Sequence, residues 1–202
     1  AACIDAETGE EIWRIDGLRL GTRWGGQPII GDSIIAGFSS YDNKVVAIGK
    51  GPTQTTLSTP DVSIPIDSMV VLKGSVTDIS PGTKDDGIMM RFPNGVPAVS
   101  DDNMSEWMKY VHMQFPMPMA MGVSVTLSVV DSNGNYRDIG TTTSDTDGFF
   151  SFTWKPDIEG KYTVYASFEG SKSYYPSHAV TAFEVEAAHP TTAPTEPPAD
   201  ST

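Results

Sequence analysis

The residues best equipped for chemistry in this 202-residue chain lie between positions 103 and 121. His112, Met113, Met117, Met119 and Met121 supply one imidazole and four thioethers, soft donors of the kind that favour Cu(I) over harder cations. Met117-x-Met119-x-Met121 places three thioethers on one side of an extended segment. A methionine-rich filler of an irregular core gap is written with the same letters, so the sequence assigns no metal. Trp107, Met108, Tyr110 and Phe115 add an aromatic set suited to anchoring a partner, because Trp and Tyr bury large area at low entropic cost. Asn103-Met104-Ser105 is an N-glycosylation sequon, usable only in an exported protein.

Other chemistries find less support. Asp131-x-Asn133-x-Asn135 presents oxygens at alternate positions as a calcium loop does, but it lacks the glycine at position 6 and the bidentate glutamate at position 12. A hairpin turn accounts for it, and the same holds for Asp145-Thr-Asp-Gly148 and Lys84-Asp-Asp-Gly87. The three histidines, His112, His178 and His189, are far apart in the chain. With the single Cys3 and no Gly-x-Ser-x-Gly, neither a nucleophilic triad nor a usual zinc spacing is present. We therefore expect no catalytic residues, no cofactor and no enzyme in this chain. The net charge of −13, from 26 acidic and 13 basic residues, would be repelled by nucleic acid and by anionic membranes. One cysteine excludes an internal disulfide, and its place between Ala2 and Ile4 reads as a small core residue. No run of about 18 apolar residues offers a membrane span. The chain opens on Ala1-Ala2-Cys3 in mid-pattern, which we read as a fragment of a longer exported protein.

The chemistry-bearing residues sit in an arm, 83–121, that interrupts a β-sandwich. Long insertions in compact domains are usually functional or disordered. This one holds Phe92, Trp107, Tyr110, Phe115 and eight of the nine methionines, which is not the composition of a disordered segment. Met104, Trp107, Met108 and Val111 fall at i, i+3, i+4 and i+7, one face of a short helix. Asp101, Asp102 or Asn103 caps its start, and Pro116 and Pro118 end it. That face serves either as packing on the open end or edge of the sandwich or as a contact surface for a partner.

Around the arm the pattern is all-β. Val123, Val125, Leu127 and Val129 alternate with small polar residues, the period of a strand with one buried face. Turn formers at 131–135 and 145–148 separate it from strands near 136–143 and 149–154. Strands at 162–168 and 179–186 follow, with Tyr162, Val164, Ala166 and Phe168 on one face. Upstream, Met69–Val76 is an earlier strand. Val62, Ile64 and Ile66 form an edge strand that tolerates Pro65, whose missing N–H is not needed there. The expected order is a Pro/Thr linker over 52–61, an immunoglobulin-like sandwich over 62–187 and a disordered Pro/Thr stalk over 188–202. This order resembles that of bacterial and archaeal surface immunoglobulin-like domains, a resemblance of pattern. It implies a cell-surface setting, in which such stalks commonly lead to a membrane anchor.

The first 51 residues have a different rhythm. Cys3-Ile-Asp5-Ala-Glu-Thr8-Gly9-Glu-Glu-Ile-Trp13 makes a turn at Asp5 and Thr8-Gly9 between two strands, with Trp13 capping the packing. This resembles the repeat signature of quinoprotein-type (PQQ-like) β-propellers, with Cys3 where the family has alanine. Ala47-Ile48-Gly49 recurs 44 residues after Cys3-Ile4-Asp5, a blade-length spacing. The resemblance implies one to two partial blades over 1–51, the end of a propeller. It leads to two functional expectations. The first is a non-enzymatic extracellular or cell-surface module for adhesion, envelope assembly or spacing, whose partner is a protein or a glycan. The alternative is the accessory C-terminal region of an exported quinoprotein-type enzyme with its chemistry upstream.

Overall fold

The computed structural model describes residues 1–15, 20–21, 27–40, 43–113 and 115–187. The expected Pro/Thr stalk at 188–202, with His189, lies outside them. Alternating apolar residues fold where the sequence placed strands. β1 (Ala2–Ile4) and β2 (Glu11–Arg14) form a hairpin, and β3 (Ile29–Gly31), β4 (Ile34–Ser39) and β5 (Lys44–Ile48) form a three-stranded antiparallel sheet. β6 (Thr53–Ser58), β7 (Ile64–Pro65) and β8 (Val70–Asp78) then enter the sandwich. The arm contributes α1 (Asp86–Arg91), β9 (Val96–Pro97) and α2 (Met104–Met113). β10 (Ser124–Val130), β11 (Tyr136–Thr143), β12 (Phe149–Trp154), β13 (Gly160–Phe168) and β14 (Ser177–Glu186) complete the chain.

Two sheets face each other. One has the order β12-β8-β6, with β9 added beside the end of β8; the other has the order β11-β10-β13-β14-β7. The first strand of the sandwich is divided between them: β6 pairs antiparallel with β8, and β7 pairs parallel with β14 at the opposite sheet's edge. Two such sheets, with a first strand that changes sides, make an immunoglobulin-like sandwich. The stretch 52–61 is thus a correction to the expected linker, because Thr53–Ser58 is a full strand. Its Thr-Gln-Thr-Thr alternation carries hydroxyls instead of apolar groups. Thr53 and Thr55 turn inward and are satisfied by Ser177 Oγ at 2.8 and 2.7 Å. Pro65 occupies the edge, as its lost donor requires.

The core is the inward face of these strands. Val70, Leu72 and Val76 of β8 meet Val125, Leu127 and Val129 of β10, Tyr162, Val164, Ala166 and Phe168 of β13, and Phe183 and Val185 of β14. Phe150 packs with them, and Trp154 lies edge-on to Tyr162 at 5.1 Å. Tyr162 is fully buried at the start of its strand. Its hydroxyl donates to Asp157 at 2.8 Å and accepts from the Ile158 backbone N–H at 3.2 Å. A tyrosine tied back to the preceding corner in this way is a hallmark of immunoglobulin-like sandwiches. Arg137 forms a two-pronged pair with the same Asp157 carboxylate. Arg137 first, helped by Tyr162, lowers the Asp157 pKa to about 2. The turns at Asp131 and Asp145 share one design. Each carboxylate accepts two backbone N–H groups from residues two and four further on, and Gly134 and Gly148 both take φ +83°. The Asp131 turn closes the expected hairpin between β10 and β11, whereas the Asp145 turn is a correction to the hairpin reading: it carries the chain from β11 to β12 in the opposite sheet.

The N-terminal residues form separate small sheets and do not amount to complete propeller blades. The expected turn is present: Asp5 Oδ1 accepts from Glu7 and Thr8 N–H at 2.9 and 2.8 Å, Gly9 has φ +76°, and Cys3 lies opposite Trp13. Cys3 is half-buried in this two-stranded hairpin, a correction to its expected place in a core.

Gly74 sits where β6, β8 and β12 press together. A Cβ there would come within 2.1 Å of the Thr56 carbonyl and 2.4 Å of Phe150 Cζ. Gly74→Ala should therefore cost about 1–3 kcal/mol through forced displacement of a packed ring, read as a lower urea midpoint with an unchanged slope.

Candidate functional site

The arm is a structured cap with a core of its own. Asp85 starts α1 by accepting the Gly87 N–H at 3.0 Å. The Lys84–Gly87 stretch expected as a turn is thus a helix start, because an aspartate carboxylate suits the orphan donors of a first turn. Arg91, the last residue of α1, donates to the carbonyls of Tyr110 and Val111 at 2.9 and 3.0 Å. It thereby satisfies the C-terminal end of α2, where a cation is favoured, and its guanidinium lies 4.6 Å from the centre of the Tyr110 ring. Ile88, Val96, Val99, Trp107, Val111 and Ala120 form the arm's buried cluster. Phe92, Trp107 and Tyr110 meet edge-on or tilted, with centroids 5.4–6.0 Å apart. Met104 touches both this cluster and the sandwich core.

The expected contact residues divide accordingly. Trp107 is 1% exposed and belongs to the arm's interior, so it is unavailable as a partner anchor. Met108 and Tyr110 are half-buried, and Phe115 is exposed. Of the helix face foreseen at Met104, Trp107, Met108 and Val111, Trp107 and Val111 are buried and Met104 packs against them, while Met108 is half-buried.

Asn103 works as a latch between the two ends of the arm. Its Oδ1 accepts from Ser100 Oγ and from the Met121 N–H, both at 2.8 Å, and its Nδ2 donates to the Met119 carbonyl at 3.2 Å. The half-buried side-chain amide of the sequon is thus engaged in folding.

Asp101 ties the arm to the hairpin loop between β13 and β14. Its carboxylate accepts from Ser171 Oγ, Lys172 N–H and Ser173 N–H at 2.9–3.0 Å. Burial, the largest single influence, raises its pKa, but the combined donors outweigh burial and lower it. The loop so held carries Tyr174, which is 2% exposed. The Tyr174 hydroxyl and the Trp107 indole N–H are buried without a hydrogen-bond partner. Burial, with the Asp78 and Asp101 charges adding to it, raises the pKa of Tyr174. Gly51 pairs with the same loop: its N–H donates to the Ser173 carbonyl at 2.9 Å and its carbonyl accepts the Tyr175 N–H at 2.8 Å. No sequence pattern marked Asp101 as more than a helix cap. Its partners lie some 70 residues away, and only the fold brings them together.

The five soft donors do not converge. His112 lies at the far end of α2 from Asn103, about nine residues or ~13 Å along the helix by its rise, and neighbours Gly82. It is exposed, yet desolvation by its surroundings, the largest influence, lowers its pKa. Met113 is half-buried at the same end. Met117, Met119 and Met121 lie together on the return segment and are 53%, 97% and 65% exposed. Among the described residues, no group of three or more His, Cys, Asp or Glu side chains is placed to hold a cation. No helix among them is long and apolar enough to cross a membrane.

No family model and no curated protein matches the sequence. Similar solved structures include the PKD domain of an M14-like peptidase from Thermoplasmatales archaeon SCGC AB-540-F20, at 14% identity and TM-score 0.35, over 68% of this chain and 98% of that one. A CARDB domain from Pyrococcus furiosus, solved in complex with di-metal ions, gives 14% and 0.33 over 69% and 91% of the two chains. The sporulation control protein Spo0M of Bacillus subtilis gives 14% and 0.31 over 71% of this chain and 51% of its own. These distant likenesses assign the chain neither an activity nor a ligand; its immunoglobulin-like class rests on the strand order described above.

Two substitutions test the two latches. Asn103→Ala should cost about 1–2 kcal/mol and expose the Met121 amide to faster hydrogen exchange while the β10 amides stay protected. Asp101→Asn should also destabilise at neutral pH. Because the folded pKa of Asp101 lies below its unfolded value, its contribution is present above about pH 4 and fades as pH falls through the folded value. Denaturation curves of wild type and Asp101→Asn should converge as the pH falls below the folded pKa of Asp101.

Proposed function

We propose that the chain is a non-enzymatic extracellular or cell-surface module that holds a neighbouring β-assembly at a fixed distance and orientation, with adhesion, envelope assembly or spacing as its role. The observation that carries this reading is the three-stranded sheet of β3, β4 and β5, which is apolar on both faces. Cross-strand register puts Ile30, Ile35 and Ile48 in one row on one face. Ile29, Ala36 and Ala47 lie on the other face, as do Phe38 and Val45. Ile29, Ile30 and Val45 are 72%, 77% and 78% exposed. Strands with apolar residues on both faces belong between two further layers, and large exposed apolar patches mark interaction sites.

A propeller end is the arrangement that supplies such layers. The Asp5 turn, the Cys3–Trp13 pair and the 44-residue recurrence support reading 1–51 as partial blades. The sandwich is then the domain that follows the last blade, fastened to it at Gly51. A protein or glycan at the cell surface is the partner class that fits a strongly acidic, non-membrane-spanning module. The same turn and pair also support the second reading, an accessory region of an exported quinoprotein-type enzyme. The upstream sequence separates the two: repeats with polar residues converging on a central channel, and a redox cofactor on purification, would favour the enzyme.

Protease treatment of intact source cells should release peptides of this chain. A pull-down from envelope extract with the wild-type chain should retain a partner that the Ile30→Lys/Val45→Lys variant loses. Recovery of the peptides only after lysis would overturn the surface reading.

A further inference from the structure

We propose that Met117, Met119 and Met121 form a binding site for a soft monovalent cation of the Cu(I) class. The structure separates this reading from the gap-filling one. A methionine that fills a core is buried, whereas these three stay largely in solvent and Met119 is almost fully exposed, at 97%. The intervening residues point the other way: Ala120 is 7% exposed and belongs to the arm's core, and Pro118 is half-buried. The segment therefore alternates as a strand does, with three thioethers on its outer side.

The backbone that carries them is fixed without being part of a sheet. Ser100 N–H donates to the Met121 carbonyl at 2.9 Å, and Asn103 grips the Met121 N–H and the Met119 carbonyl. Alternate residues on an extended segment lie about 7 Å apart. Each methionine adds three rotatable bonds and a polarisable sulfur, so the outer two can fold over the middle one and close a three-sulfur shell. Thioethers are uncharged and poor ligands for Ca²⁺ or Mg²⁺, and they select Cu(I) by softness. The net charge of −13 raises the local cation concentration without adding selectivity. His112 and Met113 stand at the opposite end of α2 and are not part of the site, so binding releases no proton and should be flat between about pH 5 and 8, where an imidazole site would weaken.

The test uses the full chain and Cu(I) delivered anaerobically from a chromophoric chelator, with Ag(I) as a redox-inert second probe. One equivalent of either ion should leave the chelator, and X-ray absorption should show a sulfur-only shell. Met117→Leu/Met119→Leu/Met121→Leu keeps the apolar surface but removes the thioethers. It should lose at least tenfold in affinity with an unchanged thermal midpoint, and the single Met119→Leu should show the same trend. His112→Ala should bind as wild type. Failure to compete with the chelator, equal binding by the triple variant, loss on His112→Ala, or nitrogen in the shell would each overturn the proposal.

Discussion

The Asp101 carboxylate is the contact on which the arrangement of this chain turns. Three parts that share no sequence proximity meet around it. The arm contributes Asp101 itself, the β13–β14 loop contributes Ser171, Lys172 and Ser173, and the N-terminal segment reaches the same loop through Gly51. A carboxylate that accepts several N–H and O–H donors is an economical organiser, because charge-assisted hydrogen bonds are stronger than neutral ones. It fixes a loop whose other duty is to hold Tyr174 inside. Tyr174 is buried at the sandwich's end, and the tether keeps the loop closed over it. Gly51 fits the same constraint, since a Cβ there would meet Ser80 Oγ at 2.7 Å.

The second device is the division of the arm into an inner and an outer chemistry. Its aromatic residues and Val111 build a small independent core, and Arg91 and Asp85 complete its helix ends. Its methionines are used on both sides. Met104 bridges the two cores, while Met117, Met119 and Met121 are turned out by the alternation of a pinned extended segment. The same residue type therefore has two physical roles within 20 positions, and the register imposed by Asn103 decides which.

Much of the sandwich was legible because strand periodicity is a local signal. Val125-x-Leu127-x-Val129 and Tyr162-x-Val164-x-Ala166-x-Phe168 state which face is buried without reference to anything else, and both rows are in the core. Thr53–Ser58 was misread as a linker because its inward residues are threonines, whose burial depends on Ser177, more than 120 positions away. α1 was missed because Asp85-Asp-Gly-Ile is as good a turn as a helix start, and the arm's packing decides between them. The site residues were legible as types and not as partners. Alternation predicts that Met117, Met119 and Met121 share one side of an extended segment, and all three are exposed, whereas His112 and Met113 belong to the last turn of α2. Asp101 and Asn103 read as helix caps and act as tertiary latches.

The N-terminal sheet shows most directly how this architecture bears on function. Its described contacts with the rest of the chain include the Lys44–Asp85 pair, and the segment that leaves it meets the β13–β14 loop through the Gly51 pairing and through Lys50 over the Tyr175 ring. Ile29, Ile30 and Val45, the most exposed apolar side chains of this sheet, are distributed over both of its faces. The sandwich grips by backbone pairing at Gly51, which fixes direction more firmly than side-chain contact would. Exposed apolar side chains occur both on the N-terminal sheet, where Ile29, Ile30 and Val45 are 72%, 77% and 78% exposed, and on the arm, where Met90 and Met119 reach 85% and 97%.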